Sequence, residues 1–303
     1  MIAHVTAVGG YLGKQTSWLK TRYPWLGNLV FATLLLAPLL LLLGVFFFYP
    51  LAGVAVRSFS EPEAGIENYT RLYSSAVFRD IFRATFAIAA YTTLVCLLLA
   101  YPYAYRLSTL PNRWASFLLL LSLVPIWTAI LARLYAWTVI LGRRGILNDY
   151  LIQLGLLNEP AELLFTRTAV MIGMVHIMLP YMIVVLYSTM STIDRTLLAA
   201  SDSLGATGFQ TFRRVFLPLS MPGVYAGCLL VFIVSLGFFV TPAILGGGGD
   251  ITIAIYVQRE VGVLNWGPAS AMSMVLLAVT IVLFFLFNKL FGTERLFSGG
   301  IRK

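Results

Sequence analysis

Six apolar blocks, each long enough to cross a lipid bilayer, restrict the folds open to this chain more than any other feature. A transmembrane helix needs about 20 consecutive, mostly apolar residues. Hydrophobic residues make up 59% of the chain and charged residues 11%, whereas soluble domains are roughly 25% charged. Because the blocks are continuous and do not alternate with polar residues, they predict an all-α membrane protein. The predicted transmembrane helices span residues 29–49, 81–105, 116–141, 168–190, 223–245 and 268–290.

The apolar blocks also predict the domain organisation. Residues 1–28 form a polar tail, and the first transmembrane segment with its flank occupies residues 29–58. The other five spans form a core of residues 79–291, in which a polar loop at 194–218 separates the fourth span from the fifth. Residues 292–303 form a second polar tail.

The distribution of positive charge predicts the orientation of the chain. The net charge is +9, and in membrane proteins Lys and Arg accumulate in cytoplasmic loops. This charge therefore does not indicate a nucleic acid partner. If the amino terminus is cytoplasmic, twelve basic and three acidic residues share that side, which accounts for the whole net charge. We expect both termini and the loop at 194–218 to be cytoplasmic.

Prolines and one glycine interrupt the predicted spans, at Pro38, Pro102, Pro125, Pro180, Gly237 and Pro242. A broken helix persists inside a bilayer only where protein or water satisfies the freed backbone groups. Such breaks suit a translocation pathway. Ordinary kinking is the alternative, because both residue types are common in membrane helices.

The loop at 194–218 is predicted to form two short helices joined by a turn. Asp194 can cap a helix that begins at Arg195, and Gly205 can end it in the left-handed conformation. We expect a second short helix at 208–214, so that the loop is a stiff projection. The apolar side of the first helix is predicted to carry Leu197, Leu198, Ala200 and Leu204.

Two segments of this loop carry the most specific motif of the chain. Residues 199–206 read Ala-Ala-Ser-Asp-Ser-Leu-Gly-Ala, and residues 215–218, which nine residues separate from Gly205, read Val-Phe-Leu-Pro. This pattern resembles the Glu-Ala-Ala loop of the permease subunits of bacterial ABC importers. In that family, a Gly and then Ile-x-Leu-Pro follow at the same spacing. The family uses this loop to receive force from an ATPase.

The chain departs from the family motif at two positions. Ala199 stands where the family has Glu, and Ser201 stands where it has the second Ala, so that only Ala200 matches. Asp202 lies one turn along and is a candidate substitute for the missing acid. The resemblance assigns ATPase coupling to Ala199, Ala200, Ser201, Asp202, Gly205, Ala206, Phe212, Val215, Leu217 and Pro218.

The resemblance extends to the third and fifth spans. The segments at 125–128, 133–137 and 235–247 look like the corresponding parts of spermidine/putrescine-type permeases. The resemblance covers roughly residues 30 to 290. It implies a type I ABC importer permease fold with six transmembrane helices, a cytoplasmic coupling loop and both termini in the cytoplasm.

The resemblance also implies the partners of the chain. Such a permease is a multi-pass protein of the bacterial inner membrane. It pairs with a second, usually different permease, two ABC ATPases and a periplasmic solute-binding protein. The chain has no Walker-type phosphate loop, so ATP and Mg²⁺ are expected on the ATPase subunits, with no cofactor bound by this chain. It also lacks a nucleophile–base pair and a metal-spaced His or Cys cluster, and the prediction is a non-catalytic subunit.

Aromatic and polar side chains at the middle of the third and fifth spans are the candidates for contact with the solute. Aromatic faces attract cations, which suits a polyamine. Helix packing is the alternative, as is an interfacial aromatic belt for Tyr135 and Trp137. The predicted substrate pathway consists of Trp127, Arg133, Tyr135, Trp137, Phe238, Phe239 and Thr241.

Arg133 is the one charged residue that we place well inside a span. Charged residues at this depth are costly and usually functional. Arg133 can bond to carbonyls at the Pro125 break, pair with an acid of the second permease, or bind an anionic group of the solute. His176, in the fourth span, is interpreted as a packed or hydrogen-bonded residue.

The sequence leaves the solute open. No Asp or Glu falls inside a predicted span, so a polycation pathway needs acids from the second permease or aromatic contacts. A polyamine-like amine is the first prediction, and opines, aminoethylphosphonate and related solutes are the alternative. A secondary transporter driven by an ion gradient is a further hypothesis, for which intramembrane acids or an inverted repeat would be needed.

Overall fold

The computed structural model describes residues 36–291, and this part of the chain is helical, with no strand in it. Five of its helices are long and apolar enough to cross a membrane, and a sixth span results if one bent helix pair is counted as one. The predicted all-α membrane fold is therefore confirmed for these residues. The predicted tails at 1–28 and 292–303 lie outside the described residues, as does the start of the first span at 29–35.

The chain divides into two compact units, residues 1–57 and 58–303. Helix α1 (Leu36–Ser60) begins in the first unit and ends in the second. The other helices belong to the second unit. They are α2 (Glu67–Ser74), α3 (Ala76–Thr109), α4 (Asn112–Trp127), α5 (Ile130–Leu141), α6 (Ile146–Gln153), α7 (Arg167–Met190), α8 (Arg195–Ser203), α9 (Gly208–Leu236), α10 (Val240–Leu245), α11 (Ile253–Gly262) and α12 (Trp266–Phe291).

Helix α1 continues past residue 49, the predicted end of the apolar span, and ends at Ser60, two residues after the predicted end of the first transmembrane segment at residue 58. Pro50 has no N–H to continue a regular helical ladder. A π-helical turn at Gly44–Phe48 precedes it, and there the Tyr49 N–H bonds to the Gly44 carbonyl, five residues back. The wider π-helical turn accommodates the hydrogen bond that Pro50 cannot form, so the helix continues to Ser60.

Helices α3, α7 and α9 pack against one another and form the core of the second unit. Apolar side chains such as Ile88, Met182 and Leu186 are fully buried along these helices. The fourth predicted span matches α7 to within one residue. The second and sixth spans are also confirmed, although α3 and α12 extend a few residues beyond the apolar blocks into more polar sequence.

The third predicted span, 116–141, is not one straight helix. Helices α4 and α5 meet at a bend of 90°. Pro125 removes a ladder hydrogen bond near the end of α4, and Thr128 and the following Ala129 have non-helical backbone angles. The Thr128 hydroxyl donates to the Pro125 carbonyl at 2.9 Å and satisfies one of the freed groups.

The fifth predicted span, 223–245, has different ends in the structure. Helix α9 begins at Gly208 and passes through Pro218, because a π-helical turn at Phe212–Phe216 precedes that proline, as in α1. The predicted helix start at Gly208 is therefore confirmed, but this helix does not end at residue 214 and continues into the fifth span. Helix α9 then ends at Gly237, and the chain forms the separate short helix α10.

Candidate coupling and substrate sites

The segment 194–218, which we call the elbow, begins with a capped helix. An oxygen of the Asp194 carboxylate accepts a hydrogen bond of 2.9 Å from the Thr196 N–H. This bond stabilises the ionised form and lowers the pKa of Asp194. The Arg195 guanidinium donates to the Ser108 carbonyl near the end of α3. The predicted start of this helix at Arg195 is confirmed. The hydrogen bond from Arg195 to Ser108 holds it against the second span.

A left-handed glycine ends the first helix of the elbow. Gly205 has φ of +81°. Its N–H bonds to the Asp202 carbonyl at 3.0 Å, and the Ala206 N–H bonds to the Ser201 carbonyl at 3.2 Å, which is the Schellman arrangement. A Cβ at this position would meet no atom within 4 Å. Glycine is therefore favoured by the backbone conformation and not by a lack of space.

Side-chain hydrogen bonds connect the two helices of the elbow. Thr207 caps the start of α9 in a reciprocal pair of bonds with Gln210, at 3.0 and 3.4 Å. The Thr211 hydroxyl donates to the Asp202 carboxylate at 2.9 Å. Because that donation uses its only proton, its oxygen accepts from the Ser201 hydroxyl at 3.0 Å.

An aromatic cluster anchors the elbow to α3. The ring of Tyr105 lies 5.5 Å from Phe212 and 4.8 Å from Phe216, edge to face in both cases. The Tyr101 hydroxyl bonds to Ser220 at 2.8 Å. Edge-to-face aromatic pairs contribute about 0.5–1.5 kcal/mol each beyond burial. Force applied to the elbow is therefore expected to reach the second span directly.

The tip of the elbow exposes apolar side chains. Leu204 is 88% exposed, Phe209 is 70% exposed and Leu197 is 48% exposed, whereas Leu198 packs against the core. Three of the four residues on the predicted apolar side of α8, namely Leu197, Ala200 and Leu204, are therefore exposed, and only Leu198 packs inward. The short helix is held at its ends and by Leu198, so the rest of its surface projects from the bundle.

The ten predicted coupling residues occupy both surfaces of the elbow. Those that are exposed are Ala199, Ala200, Asp202, Gly205 and Pro218. Those that are half-buried against the elbow or the bundle are Ser201, Ala206, Phe212, Val215 and Leu217. The exposed Leu204 and Phe209 were not among them, although a large apolar residue beside a turn glycine is a detectable signal.

The predicted pathway residues lie at two helix breaks. Trp127, Arg133, Tyr135 and Trp137 flank the α4–α5 break, and Phe238, Phe239 and Thr241 flank the α9–α10 break. Helices α5 and α10 pack against each other and against α7. Trp127 is 74% and Tyr135 is 62% exposed, whereas Thr241 is fully buried. The structure thus brings the two breaks together but does not gather the seven side chains on one surface.

Arg133 lies beside His176 at the first break. Its Nη2 donates to the Thr128 carbonyl at 3.3 Å, and its Nε is buried without a hydrogen-bond partner. Trp137, one turn after Arg133 on α5, packs edge to face on the ring of His176 at 5.7 Å. His176 also lines a cavity of about 380 Å³, together with Tyr103, Leu121, Ser122 and Pro125.

A second cavity, of about 520 Å³, lies at the break of the fifth span. Phe239 and Gly237 line it, with Gln258 of α11 and Ser273 and Thr280 of α12. Sequence reasoning placed Phe239 in the pathway and Gly237 at a helix break, but it missed Gln258, Ser273 and Thr280. The helix that carries Gln258, α11, is too short to be recognised as an apolar span. The cavity combines one aromatic face with hydroxyl and amide groups, and no charged side chain lines it.

Comparison with known proteins identifies relatives along most of the chain. Residues 95–292 match the model of the family described as binding-protein-dependent transport system inner membrane component. The chain is 38% identical over 233 residues to the spermidine/putrescine transport system permease protein PotB of Haemophilus influenzae, covering 76% of this chain and 81% of the relative. PotB of Escherichia coli is 38% identical over 215 residues, 71% of this chain and 78% of the relative.

A solved structure shares the fold. A chain of a bacterial alginate ABC transporter, in complex with an alginate pentasaccharide-bound periplasmic protein, matches with a TM-score of 0.74 at 18% identity. The match covers 92% of this chain and 97% of that one. At this identity the likeness concerns the fold alone.

Proposed function

Because the chain belongs to the family of binding-protein-dependent transport system inner membrane components, we propose that it is the permease subunit of an ATP-driven importer of a polyamine or similar amine. It is a multi-pass inner-membrane protein and a non-catalytic component of its transporter. The observation that carries the proposal is the elbow, a rigid projection with an exposed apolar tip that is fastened to a spanning helix.

The proposed assembly contains four kinds of subunit. A second permease completes the pathway, two ABC ATPases bind ATP and Mg²⁺, and a periplasmic binding protein delivers the solute. A solved structure of the same fold includes a bound periplasmic protein, which supports the last partner. Both termini and the elbow face the cytoplasm in this proposal, as the positive charge predicts.

The elbow transmits the motion of the ATPases in the proposed mechanism. Leu204 and Phe209 contact an apolar groove on the ATPase, and ATP binding moves the elbow with it. Arg195 and the Tyr105–Phe212–Phe216 cluster pass this movement to α3. The inner gate then closes and the outer gate opens, provided that ATP stabilises the second state more than the first.

The solute is proposed to be a polyamine because the relatives named above are spermidine/putrescine permeases. The cavity beside Phe239 offers an aromatic face and the oxygens of Gln258, Ser273 and Thr280 to an ammonium group. Acids from the second permease would supply the missing negative charge. Opines and aminoethylphosphonate remain the alternative solutes for the same mechanism.

The proposal is tested by reconstituting the transporter purified through this chain. Co-purification of a second permease and an ATPase is expected, and proteoliposomes should take up radiolabelled spermidine only with ATP and the binding protein. A double variant, Leu204→Asp with Phe209→Asp, should lose the ATPase during purification. Tyr73→Asp is the matched control, since Tyr73 is 86% exposed but lies outside the elbow. Uptake that requires a proton gradient and no ATP would contradict the proposal.

A further inference from the structure

We propose that Arg133 binds a carboxylate at the middle of the membrane, from an acidic side chain of the second permease or from a transported solute. The first source rests on the proposed function, because it requires that second permease. The second source would point to a carboxylate-bearing amine as the solute.

The position of His176 establishes the depth of Arg133. His176 is the ninth residue after Arg167, where α7 begins, and the fourteenth before Met190, where it ends. At 1.5 Å per residue it lies about 13 Å from one end of the helix and about 21 Å from the other. Because Trp137, one turn after Arg133 on α5, packs edge to face on His176 at 5.7 Å, Arg133 lies at a similar depth within the roughly 30 Å hydrocarbon layer.

A guanidinium at this depth requires a partner that residues 36–291 do not supply. Charged groups inside membranes pair with one another or face water-filled cavities. Among the described residues Arg133 forms no ion pair, and its one hydrogen bond, to Thr128, is long at 3.3 Å. Its Nε is buried and unsatisfied. A buried polar atom without a hydrogen-bond partner costs about 1–3 kcal/mol, and more when it is charged. We therefore expect a ligand from outside the described residues to bind at the Nε edge of the guanidinium.

The shape and surroundings of the free edge favour a carboxylate. The guanidinium fork matches the two oxygens of a carboxylate in a bidentate pair. Arg133 also lies in the first turn of α5, whose start at Ala129 has no side-chain cap, and the helix dipole adds positive potential there.

The test compares arginine variants in the reconstituted complex. Arg133→Gln keeps a donor for the Thr128 carbonyl but removes the charge, and we expect uptake to fall at least tenfold. Arg133→Lys keeps the charge and should retain more activity than Arg133→Gln and assemble normally. Arg144→Gln, at an exposed arginine of the 142–145 turn, is the control and should behave as wild type. Wild-type uptake by Arg133→Gln would overturn the proposal.

Two further measurements identify the source of the carboxylate. Suppressors of Arg133→Glu are selected for growth on the imported solute. If a suppressor changes an Asp or Glu of the second permease to Lys or Arg, the carboxylate comes from that subunit. If the Arg133→Gln complex has a tenfold higher KM for ornithine and an unchanged KM for spermidine, the carboxylate comes from the solute.

The proposal fails if the Gln, Lys and Glu variants lose uptake equally, no suppressor that replaces an acid of the second permease appears and no KM changes selectively. Arg133 then acts through the packing of its side chain at the α4–α5 break and not by binding a carboxylate. A wild-type complex that does not import spermidine contradicts the proposed polyamine function but not this inference, because the selection can use whichever solute the wild type imports.

Discussion

The hydroxyl of Thr211, at the start of α9, donates a hydrogen bond of 2.9 Å to the carboxylate of Asp202 on α8. Thr211 is 8% exposed, whereas Asp202 is exposed. The bond joins the two helices of the elbow across the Gly205 turn. The acid that sequence analysis considered as a substitute for the family Glu therefore also holds the elbow together.

We expect Thr211→Val to weaken coupling, because it removes the donor while preserving the shape of the side chain. Hydrogen bonds to charged groups contribute about 1.5–3 kcal/mol, and the exposure of Asp202 places this one near the lower figure. The solute imported per ATP hydrolysed should fall several-fold in proteoliposomes. Ser203→Ala is the control, since that hydroxyl bonds only to the Ala199 carbonyl of its own helix. Additive effects of Thr211→Val and Asp202→Asn would show that the bond is not used.

The backbone of Gly205 provides a second prediction. Its φ of +81° costs a residue with a Cβ about 1–2 kcal/mol, and Asn less than most. Because a Cβ there meets no atom within 4 Å of this chain, uptake should decrease in the order Gly205→Asn, Gly205→Ala, Gly205→Val. Equal loss in all three variants, with the ATPase still bound, would show that the glycine is needed for contact with the ATPase and not for the turn.

Local signals in the sequence were sufficient to predict the two ends of the first helix of the elbow. The cap at Asp194 and the left-handed end at Gly205 depend on interactions within one or two turns of chain, so the residues themselves predict them. The outward direction of Leu204 depends on how α8 attaches to the bundle, through Arg195 and Leu198. That attachment is a tertiary feature, and hydrophobic patterning alone identifies the apolar side of α8 but not the direction in which it faces.

The positions of the helix breaks were harder to predict than the elbow, because a proline interrupts the helix at one position of this chain and not at another. At Pro125 the helix bends by 90° within three residues. At Pro218 it continues, because a π-helical turn ends two residues earlier and the Leu217 N–H finds the Phe212 carbonyl. Which outcome occurs depends on the packing of the neighbouring helices, and the proline alone does not determine it.

Two glycines of α9 should respond differently to substitution by alanine. A Cβ at Gly223 would lie 2.7 Å from the branched Cβ of Thr189, whereas at Gly227 it would lie 2.7 Å from the flexible Sδ of Met182. Overpacking at a rigid site costs about 1–3 kcal/mol. Gly223→Ala should therefore lower the thermal unfolding temperature of the detergent-purified complex more than Gly227→Ala does. Gly237→Ala meets no atom within 4 Å and is the control; the reverse order would contradict the predicted α7–α9 packing.

Asn148, at the start of α6, holds together the segment that follows the third span. Its side-chain amide donates to the carbonyls of Gly142, Arg143 and Ala161, and its oxygen accepts from the Ala161 N–H. The side chain is fully buried, so Asn148→Ala leaves several groups unsatisfied, at about 1–3 kcal/mol each.

We expect Asn148→Asp to be no better than Asn148→Ala, since it restores the acceptor but places a negative charge against three carbonyl oxygens. Both variants should unfold at lower temperature than wild type in a detergent thermal-shift measurement and yield less assembled complex. Asn265→Ala is the control, because that amide is exposed and bonds to Glu260 at the surface. An unfolding temperature of Asn148→Asp equal to that of wild type would mean that the carbonyls turn away and that the hydrogen bonds of Asn148 do not hold this segment together.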